Sequence, residues 1–224
     1  STHRYTATDA IQPLIRSAGG DAPVVEVSAG VRLIEGQGGG EHPAEDAHTY
    51  DPHVWMDPNN VMIWVENIKN ALSENDPGNA AVYAENAAGY RGQLQQLDAW
   101  IRGQAESVPA SRRSLVVDHL AYSYFAERYG FTQAAAIIPG FSTLAEPSAQ
   151  EIALLEKTIR EMQIKAIFVG NSINPALAER IAADTGAQIV RLYSGSLSEP
   201  GGEADTYLNY MRYNVNAIIT ALNR

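Results

Sequence analysis

The octapeptide Asp51-Pro52-His53-Val54-Trp55-Met56-Asp57-Pro58 holds one histidine between two Asp-Pro pairs, directly ahead of an amphipathic segment. An imidazole held this way suits metal ligation through a ring nitrogen, provided the backbone around it is stiff. Each proline fixes its own φ and pushes the preceding residue toward extended structure, so Asp51 and Asp57 are biased out of the helical region. Asp57 then suits an N-cap and Pro58 the first helical position. Behind them Val61, Trp64, Val65, Ile68 and Leu72 recur at helical spacing and predict one buried face. The same pattern also fits a helix start whose histidine only packs or hydrogen-bonds.

A second histidine, His119, follows Asp118 at the end of the apolar run Leu115-Val116-Val117. It is the only histidine of the C-terminal half, and a capping or core role is its alternative. Two neutral imidazoles suit Zn²⁺ and, with added carboxylates, Mn²⁺; a full site needs about four ligands. Gly36 to His48 forms a glycine-rich acidic loop in which Glu41, His42, Glu45, Asp46 and His48 supply further donors. A solvated surface loop is the plainer reading of that composition. No Gly-x-Gly-x-x-Gly follows a strand, and Walker A, Gly-x-Ser-x-Gly and His-Glu-x-x-His motifs are absent.

The elements that must position these residues follow from periodicity. A helix is predicted over roughly Ala7 to Ser17 and a strand over Pro23 to Val27. From Asn79 to about Val108, Tyr83, Ala87, Tyr90, Leu94, Leu97 and Ile101 make one narrow apolar seam. A helix of ~30 residues is about 45 Å long, enough to serve as a spine between two lobes. Beyond it, strands Leu115-Val117, Ala134-Ile138, Ala166-Val169 and Gln188-Leu192 alternate with helices Ala121-Tyr129, Ser148-Gln163, Asn174-Thr185 and Ala204-Leu222. Short apolar strands between helices predict a parallel sheet covered on both faces. Ligands bind beyond the carboxyl ends of such strands. That edge receives Asp118-His119, Gly140 to Thr143, Gly170 to Ser172 and Ser194-Gly195-Ser196.

The 224 residues suffice for one large domain or two small lobes. A formal charge of −10 argues against nucleic acid and anionic membrane as partners. With no cysteine, disulfides and thiolate sites are excluded. No apolar run approaches a membrane span of roughly 18 residues. Ser1-Thr2-His3-Arg4-Tyr5 does not open like a domain, so the sequence is expected to begin inside a larger fold.

Taken together, the motifs resemble the metal-binding subunits of bacterial ABC importers for zinc and manganese, the zinc-uptake and adhesin-type lipoproteins. The resemblance rests on Asp51 to Pro58, and on Asp118-His119-Leu120-Ala121-Tyr122 with Tyr124-Phe125 and Tyr129-Gly130. Glu146-Pro147-Ser148 and Thr206-Tyr207-Leu208-Asn209-Tyr210-Met211-Arg212-Tyr213-Asn214 complete it, over about Ile11 to Leu222. It implies an α/β fold of two lobes joined by one long rigid helix: a partial N-terminal lobe (1–78), the spine (79–111) and a C-terminal lobe (112–224) with a four-stranded parallel sheet. It also implies that His53 and His119 are metal ligands, and that loop 36–48 is the variable loop of zinc-specific members. Two departures stand out. The family's upstream ligand histidine has no counterpart here, as in an N-terminally truncated chain, and the place of its last aspartate ligand is held by Gly195.

The function so implied is an extracytoplasmic solute-binding protein that captures Zn²⁺, with Mn²⁺ second, in an inter-lobe cleft for an ABC permease. It would be non-enzymatic, monomeric, and periplasmic or extracellular, with lipid anchoring of the precursor as one option. An adhesin-like or docking protein with a degenerate metal site is the alternative. A metal-dependent hydrolase would need a general base beside a bound water, and Asp118 is the one adjacent candidate.

Overall fold

The computed structural model of the chain describes residues 15, 17, 23–35, 50–138, 146–171 and 175–224. Among these residues the helices are α1 (Pro58–Asn75), α2 (Ala80–Glu106), α3 (Ser123–Tyr129), α4 (Ala149–Glu161), α5 (Ala176–Thr185) and α6 (Tyr207–Leu222). The strands are β1 (Ser114–Val117), β2 (Thr132–Ala136), β3 (Ala166–Gly170) and β4 (Gln188–Leu192). Strand and helix alternate from β1 onward, as the apolar runs predict. By compactness the chain divides into two units, Ser1–Val31 with Asn59–Leu94 and Arg32–Pro58 with Gln95–Arg224.

In the first unit, α1 meets the start of α2 at a corner closed by the Tyr83 hydroxyl, which donates to Asp76 Oδ2 at 2.7 Å. Arg91 bonds Glu66 across the same pair of helices at 3.2 Å. Val61 is buried, but Ile68 and Leu72 are 43% and 44% exposed, so the predicted buried face of α1 holds only near its beginning. The expected strand at 23–27 is absent: residues 23–26 are irregular and Val27 to Gly30 form a turn. A strand needs a ladder partner. Here the carbonyls of Val27 and Ala29 are instead taken by the Asn67 amide at 2.8 and 2.9 Å. The helix expected over Ala7–Ser17 lies almost wholly outside the described residues, as does the loop 36–48 with His42 and His48.

The 27-residue α2 matches the long helix predicted from its seam. Leu94, Leu97 and Ile101 are fully buried, and Tyr83 and Tyr90 are half-buried.

In the second unit the four strands are parallel, in the order β2-β1-β3-β4. All five residues of β3 are buried, which is why the run reads as continuously apolar. Ile167 and Val169 pack with Val116, Leu155, Ile159, Ala178 and Ile181 in the core under α4 and α5. β2 starts two residues ahead of the predicted strand, because Thr132 N–H already bonds Arg113 O at 2.8 Å. Ile137 and Ile138 still bond Val117 O and Asp118 O, so the pairing runs on past the strand. α4 starts behind Ser148 with a complete capping box to Glu151, and α6 starts behind Thr206, whose hydroxyl accepts from Asn209 N–H. That cap explains why α6 begins at Tyr207 and not at Ala204.

Ile167 is fully buried in a central strand, so Ile167→Ala is expected to cost about 2–5 kcal/mol in denaturant unfolding. A loss under about 1 kcal/mol would show that the core does not close around this strand.

Candidate metal centre

The strand order reverses between β1 and β3, since the chain places β2 on one side of β1 and β3 on the other. Asp118 and His119 stand at that switch point, just past the carboxyl end of β1, where open parallel sheets bind ligands. Asp118 is fully buried. Its Oδ1 accepts from His119 N–H at 2.7 Å and lies 2.8 Å from His119 Nδ1. Its Oδ2 accepts from Gly170 N–H at 2.7 Å, at the end of β3. Three donors on one carboxylate offset the desolvation that a buried charge would otherwise suffer.

His53 is held by the same device. Asp51 Oδ1 accepts from His53 N–H at 2.8 Å and sits 2.7 Å from Nδ1. Because an ionised carboxylate only accepts, Nδ1 is assigned as the protonated nitrogen of each neutral ring, and the lone pair falls on Nε2. This carboxylate–imidazole arrangement orients histidine ligands and raises their basicity. Both rings are buried, and their centroids are 5.1 Å apart with planes inclined at 63°. The structure therefore brings together the two histidines that the sequence singled out, and both belong to the second unit.

The turn carrying His53 is fixed at several points. Val54 to Met56 form a single 3-10 turn, and Asp57 is extended (φ −115°, ψ 115°), as its following proline requires. Arg128 Nε donates to Asp57 Oδ2 at 2.8 Å. The Tyr124 hydroxyl donates to Asp51 O at 3.1 Å and accepts from Ile34 N–H. Trp55 stands edge-on to His53 at 5.3 Å.

Asp51 Oδ2 is buried without a hydrogen-bond partner among the described residues. A bare carboxylate oxygen out of water is costly, and a cation arriving at the adjacent imidazoles would offset that cost. The Tyr122 hydroxyl is likewise buried and unbonded. Its own burial, and after it the nearby Tyr210 and Asp118, push its ionisation well up, so it stays neutral.

Among the described residues no group of three or more His, Asp or Glu side chains forms a metal cluster, so the centre seen here is a pair of imidazoles with carboxylate support. Gly195 is exposed in the loop after β4, one residue beyond Ser194, whose side chain crowds Gly170. Gly140 to Thr143 and Ser172 lie outside the described residues. As for the hydrolase option, Asp118 has both oxygens engaged and cannot double as a general base without breaking its hold on His119. The supports that sequence reasoning missed are Tyr124, Tyr207, Tyr210 and Gly170. A signal existed for two of them, since Tyr207 and Tyr210 share one helical face.

The family model described as zinc-uptake complex component A, periplasmic, matches residues 5–221. The chain belongs to this family. The manganese-binding lipoprotein MntA of Halalkalibacterium halodurans is 32% identical over 205 residues, covering 91% of this chain and 65% of that protein. The iron-binding protein YfeA of Yersinia pestis is 34% identical over 169 residues, covering 75% of this chain and 54% of its own length. Among solved structures, the periplasmic zinc-binding protein TroA of Treponema pallidum superposes with a TM-score of 0.82 at 28% identity, over 96% of this chain and 77% of that one. The chain spans less than two thirds of the length of the curated relatives it matches first.

A Cβ on Gly170 would meet Ser194 Oγ at 2.1 Å, Asp118 Oδ2 at 2.9 Å and Ser194 Cβ at 3.0 Å. Gly170→Ala must therefore displace the Ser194 side chain, in the loop after β4, or the Asp118 carboxylate at the end of β1. A loss of about 1–3 kcal/mol in chemical unfolding is expected. A change within about 0.5 kcal/mol, the range of a neutral surface substitution, would mean that the contact relaxes freely.

Proposed function

We propose that this family member captures a single divalent transition-metal ion at His53 and His119 and delivers it to the permease of an ABC importer. The observation that carries the reading is the matched pair of Asp-anchored imidazoles in contact at the sheet's switch point. The metal is cargo and undergoes no chemistry. Relatives are named for manganese, iron and zinc, so the choice of ion rests on this chain's own donors. Two neutral imidazoles suit Zn²⁺ first, and Mn²⁺ second where carboxylates join them, which is the order we adopt.

The same reading places the protein outside the cytoplasm, in the periplasm or at the cell surface, in keeping with relatives named as lipoproteins and a family described as periplasmic. No helix among the described residues is long and apolar enough to cross a membrane. The net charge of −10 favours attraction of cations. One structural neighbour, the laminin-binding protein of Streptococcus agalactiae, is described as both adhesin and metal transporter. Here the buried and doubly anchored imidazoles support the metal role, because a docking surface has no need of them.

Isothermal titration with Zn²⁺ and Mn²⁺ tests this directly. Wild type should bind one zinc ion per chain, and His53→Ala and His119→Ala should each weaken binding by more than the ~10–100-fold lost when a supporting group is removed. Wild-type affinity in both variants would move the site elsewhere. Gly195 occupies the place where the family resemblance implies an aspartate, and glycine brings no ligand. Gly195→Asp is therefore expected to raise zinc affinity by ~10–100-fold in competitive titration. Unchanged affinity in a folded variant would place residue 195 away from the ion.

A further inference from the structure

One face of α6 carries Tyr207, Tyr210 and Asn214 at i, i+3 and i+7, and each bonds a segment outside the helix. The Tyr207 hydroxyl donates to Trp55 O at 2.8 Å. Asn214 pairs with both backbone groups of Tyr193, at 2.7 and 2.9 Å. Between them, the buried Tyr210 hydroxyl donates to Ser194 O at 3.1 Å and accepts from the Trp55 indole N–H at 3.4 Å. Met56 Sδ lies 3.4 Å away as a weak alternative acceptor. One oxygen atom thus joins the turn that bears His53 to the loop that leads into Gly195.

The contact continues toward the candidate ligands. The Trp55 ring abuts His53 at 5.3 Å, and His53 abuts His119 at 5.1 Å. Asp51 anchors the His53 ring at Nδ1, and Trp55 packs against the same ring from another side. The hydroxyl of Tyr210 helps hold Trp55 in place. Burial pushes the Tyr210 phenol up, so it remains a donor across the working pH range.

We propose that Tyr210 is a positioning residue of the metal site: through Trp55 its hydroxyl sets the His53 ring and ties that ring to the Ser194 loop. The proposal rests on His53 and His119 being the ligands. Removing the hydroxyl while keeping the ring leaves the packing against Tyr207 (6.2 Å between centroids) but cuts the one-atom link between the turn and the Ser194 loop.

The test compares wild type, Tyr210→Phe and Tyr213→Phe, the last altering a hydroxyl on the same helix whose ring packs on Tyr193. Each is titrated with Zn²⁺, loaded with Co²⁺ for its visible d–d absorption, which reports ligand geometry, and melted without metal. Tyr210→Phe should bind zinc ~10–100-fold more weakly, with an altered Co²⁺ spectrum beside the modest drop in Tm expected from losing a buried hydrogen bond. Tyr213→Phe should match wild type throughout. If Tyr210→Phe keeps wild-type zinc affinity and the wild-type Co²⁺ spectrum, the proposal is overturned while the metal reading stands. A weaker Tyr210→Phe with a lowered Tm and an unchanged spectrum would also overturn it, by showing a role in folding alone. If wild type itself takes up no zinc, the metal reading falls and this proposal with it.

Discussion

Asp118 is the point on which the rest of the site depends. It sits where the strand order turns, fully buried, with one oxygen holding the ring and backbone of His119 and the other holding the end of β3. A buried carboxylate is stable only when its oxygens are satisfied, so the sheet edge must close around it with Gly170 as its near neighbour. A side chain at 170 would occupy the space of Ser194. The histidine is thereby held by the fold of the sheet and not by a loop.

His53 reaches the same place by a different route. Its support is a short turn stiffened by two prolines, by Arg128 on Asp57, by Tyr124 on Asp51 and by α6 on Trp55. What the two histidines share is the carboxylate at Nδ1, which assigns the lone pair of each ring to Nε2. We read two rings prepared alike, with centroids 5.1 Å apart, as a site for one ion, the transported cargo.

Much of this was legible in the sequence. The Asp-Pro-His turn, the seam of α2, the buried strands and both histidines follow from spacing and residue type, because prolines, helical periodicity and apolar runs act locally. The limits were physical as well. The strand at 23–27 failed because strand formation depends on a partner, and the carbonyl of Val27 is taken instead by Asn67, forty residues downstream. The exposed half of α1 failed because amphipathic spacing predicts a face but not what covers it. The contacts of Tyr210 and Gly170 stayed hidden, although both residues were placed in motifs or at the sheet edge, because Trp55, Ser194 and Asp118 are distant from them in sequence. Asp118 was visible as a neighbour of His119, but only the position of Gly170 shows that it is an anchor and not a base.

The central claim is that two Asp-anchored imidazoles share one ion through Nε2. A crystal structure of the zinc-loaded protein, with the metal located by its anomalous scattering, tests this most directly. The account predicts one zinc ion about 2.0–2.1 Å from Nε2 of both His53 and His119, with each Nδ1 still on Asp51 or Asp118. An ion bound elsewhere, or bound to either ring through Nδ1 with its carboxylate displaced, would contradict it.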